Sequence, residues 1–335
     1  MNPRAFAAAA LGALALVGAF GWGLRDNYVM DLFILAALYA LWGVAWNMNA
    51  GFAGLLSLGH ALFIGTGAYA VAYLYAAFGI SPWLGAPIGV ALAVLMALGI
   101  GYLSFRYGLR GHYFALVTLA FSEIGFLLVS STTALGRSDG LMMPLKNPGF
   151  DYLQFEAKWP YAVMILVLLG LAMLCSVLLL RSRVGYYWRA IRDNEEAAAA
   201  LGVPTFRFKQ YAVAISAAWA AVGGALLAQY SAFVDPHTVM GVQLSIQILL
   251  FAIIGGMGVL WGPILGAALL IPAGEVLRGS FGSTRPGLHL VFYALLLIVV
   301  ALRMPGGVGG WINAWIRSRR PREPAPPAEP ALRRN

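Results

Sequence analysis

The residues able to do chemistry are sparse in this chain and unevenly placed. His60, His112, His237 and His289 stand far apart, and none has the spacing of metal ligands. The one cysteine, Cys175, sits inside an apolar run, so no disulfide framework forms within the chain. There is no Ser/His/Asp set, no pair of acids inside an apolar run, and no G-x-x-x-x-G-K-[ST] loop for nucleotide phosphates. The pattern argues against a membrane enzyme and predicts no catalytic residue, no metal site and no ATP chemistry in this chain.

Two groups of polar residues remain. The first is Asn49, Ser57 and His60, interleaved with Gly51, Gly54 and Gly59, together with Thr118 and Glu123 further on. Glycines at that density can interrupt a helix at membrane depth, and such breaks are tolerated where the backbone is covered by protein or lines a cavity. A zwitterion needs donors for its carboxylate and acceptors for its ammonium group, and short polar side chains beside helix ends supply both. These five residues are the candidate substrate path. The competing reading is close helix packing through glycine, which fits Gly65 and Gly67 better. Glu123 is an acid inside an apolar span, rare and by default functional. Substrate contact, gating and pairing with a base across the bundle all remain open for it.

The second group is the segment RDNEEAAAALGVP, from Arg192 to Pro204. It predicts a first short helix ending near Asp193, and a second capped by Asp193 with Glu196 in a capping-box-like arrangement. Glu195 and Glu196 suit the positive end of that second helix. Ala197 to Ala200 continue it, Gly202 ends it, and Pro204 blocks resumption. A face of small alanines can be approached closely by another protein, or can lie on a membrane surface.

The elements that position these groups follow from composition. The chain has 335 residues, 61% hydrophobic and only 10% charged, against about 25% charged in a soluble domain. About 20 apolar residues span the hydrocarbon core. Runs near 5–24, 32–48, 60–78, 83–105, 113–134, 160–180, 210–230, 244–256, 262–278 and 288–303 predict an all-α polytopic bundle of about ten spans, with broken or glycine-rich segments. The run at 5–24 exceeds the apolar core of a cleaved signal peptide and reads as a first span. The region 244–278 reads as two spans turning at IGGMGVLWGP, with a re-entrant hairpin as the alternative. The net charge of +9 is carried by loop arginines that set topology rather than by a nucleic-acid surface. The basic segments 181–209 and 303–335 both read as cytoplasmic, as does the N-terminus. The predicted organisation is a membrane domain over 1–315 and a disordered Pro-rich basic tail over 316–335, near lipid headgroups. Ser138, Asp139 and Gly140 then form a candidate external mouth, with an ordinary capped turn as the alternative.

Glu196-Ala197-Ala198, three residues, then Gly202 resembles the EAA-x3-G signature of ABC importer permeases. The I-x-L-P continuation of that signature is absent, since Ala212 to Ile215 read AVAI, which argues against the common sugar and peptide importers. The chain is instead similar to branched-chain amino acid permeases of the LivM type, within the wider LivH/LivM family. The similarity runs through NAGFAGLLSLGHALFIGTGAYAVAYL (49–74), RGHYFALVTLAFSEI (110–124), GRSDGL (136–141), the block 189–229 and IGGMGVLWGPILGAALL (254–270), in that order.

The resemblance implies a bacterial inner-membrane importer subunit. Its coupling loop would comprise Arg189, Arg192, Asp193, Glu195, Glu196, Ala197, Ala198 and Gly202. It further implies a second related permease, two cytoplasmic ATPases that carry the ATP and magnesium, and a secreted solute-binding protein. Branched-chain amino acids are the implied cargo. Urea, short amides and small carboxylates are carried by related machines, and an ion-driven carrier with Glu123 as its proton site belongs to another class.

Overall fold

A computed structural model describes residues 27–145 and 149–281, and beyond them 291, 294, 295, 298, 299, 302, 303 and 306–310. The predicted span at 5–24 and the tail at 316–335 lie outside the described residues, as does most of the span at 288–303.

Among the described residues six helices are long and apolar enough to cross a membrane: α1 (Asn27–Asn47, extended by a π turn at Met48–Phe52), α2 (His60–Phe78), α3 (Pro82–Arg106), α4 (His112–Ser131), α5 (Trp159–Arg181) and α8 (Thr205–Ser231). Between α5 and α8 lie two short helices, α6 (Arg183–Asp193) and α7 (Glu195–Ala200). After α8 come α9 (Pro236–Met240), α10 (Val242–Gly256) and α11 (Gly262–Phe281). The 244–278 region is thus two helices meeting at a turn. Gly255, Gly262 and Gly266 allow this, since a Cβ on any of them would strike the facing backbone. α10 is about 22 Å long, short of the roughly 30 Å hydrocarbon core, and α9 precedes it across a break at Gly241.

Local sequence accounts for the helix ends. Ser81 caps α3 by accepting from the Trp83 amide, with Pro82 in the first turn. Asp235 caps α9 by accepting from Thr238, again followed by proline. Gly79 closes α2 in the left-handed conformation, with its own amide and that of Ile80 returning to Tyr75 and Leu74.

The core is the mutual packing of α2, α3 and α8, flanked by α1, α10 and α11. At Gly67 a side chain would collide with the Ala221 carbonyl, and at Gly224 with the Ile64 carbonyl. α2 and α8 therefore touch backbone to backbone. Trp42, Trp46, Phe63 and Phe251 fill the space beside that seam and are almost fully buried. α4 lies at the edge, against α2, α3 and α9, and α5 packs chiefly on α1.

The connections fall at two ends. At one end are the turn after α1, the α3–α4 connection, α6 and α7, and the α10–α11 turn. At the other end Ser81 donates to the Asp151 carbonyl (2.7 Å), Asp31 pairs with Lys158 (2.6 Å), and Leu141–Met142 pairs antiparallel with Phe233–Val234. Arg106, Arg110, Arg181, Arg183, Arg189, Arg192, Arg207 and Lys209 sit at the first end with Asp193, Glu195 and Glu196; Asp31, Asp139, Asp151, Glu156 and Asp235 sit at the second with Arg137 and Lys158.

Candidate functional site

The polar segment forms a helix–turn–helix unit held firmly to the bundle. α6 is strongly amphipathic, with Gly185, Trp188 and Ile191 buried. Trp188 is fully covered and donates through Nε1 to the Phe208 carbonyl at 2.8 Å, which pins α6 to the first turns of α8. α6 ends at Asp193. The cap of α7, however, is Asn194 and not Asp193: its Oδ1 accepts from the amides of Glu196 and Ala197, both at 3.0 Å. Asp193 still belongs to α6 and instead meets the Arg192 guanidinium at 3.2 Å. Glu196 therefore plays no part in a capping box, and its carboxylate accepts from Arg110 at 2.8 Å. α7 closes as foreseen: Gly202 is left-handed (φ +84°), and the amides of Gly202 and Val203 return to Ala199 and Ala198.

Glu195 turns inward while Glu196 turns outward. Glu195 pairs with Lys209 at 2.6 Å, and the Lys209 side chain is only 4% exposed. The Lys209 ammonium also lies 4.5 Å from the Phe105 ring centre. Arg110 reaches both acids, and its bond to Glu196 and the charge of Glu195 hold its guanidinium above the usual arginine range. Ala198 is buried, whereas Ala197, Ala199, Ala200, Leu201 and Gly202 are exposed, Leu201 to 86%. The surface α7 offers is small and weakly apolar. Beside it a pocket of about 290 Å³ opens between Gly54, Leu55, Arg110, Arg192 and Asn194.

Arg192 joins this unit to the membrane segment. Its Nη1 donates to the Gly51 carbonyl at 3.0 Å, within the π turn. Gly54 (φ +74°) lies so close to Arg192 that a side chain there would meet its backbone. Asn47 ties the same turn to the α10–α11 connection, donating to the Val259 carbonyl at 3.0 Å and accepting from the Gly258 amide at 2.8 Å.

The predicted break is present. α1 passes into the π turn, the chain runs without helix over Gly54–Gly59, and α2 begins at the buried His60. The freed backbone is met by side chains. Trp46 Nε1 donates to the Ser57 carbonyl (2.8 Å), and the Leu58 amide donates to Thr118 Oγ1 (3.0 Å). The Ala61 amide donates to Ser245 Oγ (2.9 Å). Ser216 gives its proton to the Ala45 carbonyl (2.7 Å), so His60, 2.7 Å away, donates to Ser216 through Nε2–H. Ser57, His60 and Thr118 are thus all buried along the broken segment, each with its own partner, and form with Ser216 and Ser245 the polar node that holds it. Asn49 lies in the π turn, 1% exposed, and neither atom of its amide has a partner among the described residues.

Glu123 is not in the node. It lies to one side of the buried face that carries Thr118 and Ser122, partly exposed, with no ion pair or hydrogen bond among the described residues. Ser138, Asp139 and Gly140 stand at the far end of the bundle from α7, beside the two-stranded pairing. Gly140 is packed where a side chain would press on the Val234 carbonyl. Sequence reasoning missed Trp46, Asn47, Arg110, Lys209, Ser216 and Ser245. Their only signal is a polar or bulky group inside an apolar run or just beyond its end.

A family model described as "Branched-chain amino acid transport system / permease component" matches residues 28–301. The chain belongs to this family. Within it the permease is of the LivM type. It is 32% identical over 287 residues to the high-affinity branched-chain amino acid transport system permease protein LivM of Escherichia coli K12, covering 78% of this chain and 67% of the relative. A LivM protein of Salmonella typhimurium is 31% identical, over 74% of this chain and 63% of its own length. The permease thus spans about two thirds of these relatives. The LivH permease protein of Salmonella typhimurium is 28% identical, over 82% of this chain and 92% of its own. No solved structure matches the permease.

Proposed function

We propose that this permease is one membrane half of an ATP-driven importer of branched-chain amino acids in the bacterial inner membrane. The relatives' names supply the cargo class. The observation that carries the mechanism is the continuous link from α7 to the helix break. α7 exposes a small-residue face for docking, Glu195 and Trp188 fasten the unit to α8, and Arg192 holds the π turn. In this reading two cytoplasmic ATPases carry ATP and magnesium, and one docks on Ala197, Ala199, Ala200 and Gly202. A second, related permease completes the membrane unit, and a periplasmic solute-binding protein delivers cargo near Ser138–Gly140. ATP binding draws the docking units together and the two halves rock, so that access alternates. The arginine-rich end then faces the cytoplasm, in keeping with the positive-inside rule.

Within the membrane, Ser57, His60 and Thr118 hold the broken segment in place, and Asn49 keeps free hydrogen-bonding capacity beside it. The test is uptake of labelled leucine by membranes containing the co-expressed subunits and the binding protein. Glu196→Lys or Gly202→Trp should leave the bundle in the membrane at normal levels and reduce uptake at least tenfold. Normal uptake in both variants removes the docking role. Preference for urea or a small carboxylate over leucine reassigns the cargo, and uptake without ATPases replaces the machine by a carrier.

A further inference from the structure

α2 starts inside the membrane rather than at its surface. Its first residue, His60, meets Ser216 near the middle of the 27-residue α8. Its second, Ala61, donates its amide to Ser245 Oγ in the first turn of α10 (2.9 Å). Ser245 stands eleven residues before Gly256, about 16 Å from the docking end of α10, well within a hydrocarbon core of roughly 30 Å. The positive end of a 19-residue helix is thus buried at depth, and its first turn contains no acid. Gly59, the residue before it, has no side chain with which to cap the first amides.

Three polar groups remain unused around this helix start. The His60 amide has no partner among the described residues. Ser245 Oγ accepts from Ala61, and no described residue takes its proton. The third is on the His60 ring. Nε2 carries the proton given to Ser216, so Nδ1 is a bare acceptor. His60 is 1% exposed, and Nδ1 has no partner among the described residues. Nδ1 is bonded to the ring carbon that carries the side chain, so it lies beside the first turn of α2 while Nε2 reaches away to α8. Two donors at the positive end of a helix and one acceptor next to them match a zwitterion and no single ion, because an unpaired buried charge is costly. One turn further along the same face of α2, the space left by Gly65 is filled by Met240 of α9, a flexible apolar side chain.

We infer that the start of α2 is the seat of an α-amino acid at mid-membrane. Its carboxylate accepts from the His60 amide and the Ser245 hydroxyl, its ammonium donates to His60 Nδ1, and its apolar side chain lies against Met240. Helix starts inside a membrane serve anionic groups of small solutes in just this way. The inference rests on the importer reading and gives its cargo a site and an orientation.

The test separates the two ring nitrogens. The amide nitrogen of glutamine can stand in for Nε2 and leaves nothing at Nδ1. The amide oxygen of asparagine can stand in for Nδ1 and does not reach Ser216. Each variant is placed in the complete transporter, with its ATPases and binding protein, and two quantities are read: uptake of labelled leucine in membranes and the thermal midpoint of the purified complex. His60→Gln should leave the midpoint little changed and reduce uptake at least tenfold. His60→Asn should lower the midpoint yet retain more uptake per folded complex than His60→Gln. Normal uptake in His60→Gln, or the reverse order of the two variants, leaves His60 only its bond to Ser216 and overturns the seat. A diazirine analogue of leucine, irradiated during uptake by the unaltered complex, gives the second readout. Adducts should fall within residues 59–66 or 238–246 of this chain, and no adduct in either segment overturns the seat. Failure of the unaltered complex to take up leucine with ATP and binding protein present removes the importer reading itself. Uptake by the unaltered complex with the wrong variant order or the wrong adducts removes the seat alone.

Discussion

Glu195 and Glu196 are adjacent and chemically alike, yet the fold gives them different work. Glu196 pairs with Arg110 where both side chains are mostly exposed, and such pairs contribute about 0–1 kcal/mol. Glu195 meets Lys209, which is nearly buried. Removing one partner of a buried pair costs about 3–5 kcal/mol, since it strands the other charge. Glu195→Ala should therefore lower the thermal midpoint in detergent sharply, while Glu196→Ala shifts it little. The double variant Glu195→Leu with Lys209→Met should recover most of the loss, and equal midpoints for the two single variants would refute the distinction. Arg192 provides a separate test. Arg192→Gln loses the charged donor to the Gly51 carbonyl. It should retain assembly and ATP hydrolysis in the complex while uptake falls at least tenfold. Hydrolysis and uptake falling together would mean that Arg192 is needed only to build the docking unit.

At the scale of elements, hydropathy located the helices well and their polar ends less well. The span foreseen at 210–230 is α8 over Thr205–Ser231, five residues longer at its start. Its first turns hold Arg207 and Lys209, which the apolar run leaves out, and Gln210, at that run's edge. Tertiary partners make these residues helical: Glu195 for Lys209, and the Leu98 carbonyl for Gln210. The docking loop is correspondingly shorter than 181–209. The cap of α7 was misplaced by one residue because Asp193 and Asn194 are both good caps, and only the observed backbone decides between them. The glycines that announced a break were legible. The π turn and the node were not, since Ser57, Thr118, Ser216 and Ser245 come from four elements far apart in sequence. The seam between α2 and α8 yields its own prediction. Gly67→Leu would drive a side chain into the Ala221 backbone. It should reduce the folded protein recovered from membranes several-fold, whereas Gly99→Leu, where a Cβ meets no neighbour within contact range, should not.

For the whole molecule, the described helices place α7 at one end and Ser138–Gly140 at the other, with basic residues concentrated at the α7 end. A bundle of this kind has one orientation, so a single labelling experiment tests both ends together. With Cys175→Ser as background, Ala200→Cys reports on the docking end and Ser138→Cys on the other; both native side chains are exposed. A membrane-impermeant maleimide should label the Ser138 position in intact cells stripped of their outer membrane. It should label the Ala200 position only in inverted vesicles. The opposite pattern would invert the molecule and put α7 out of reach of any cytoplasmic ATPase. Labelling of both from one side would mean that the two ends share a compartment, which α8 forbids. It is 27 residues long, about 40 Å as a helix, and it runs from the docking unit to the strand that pairs beside Gly140.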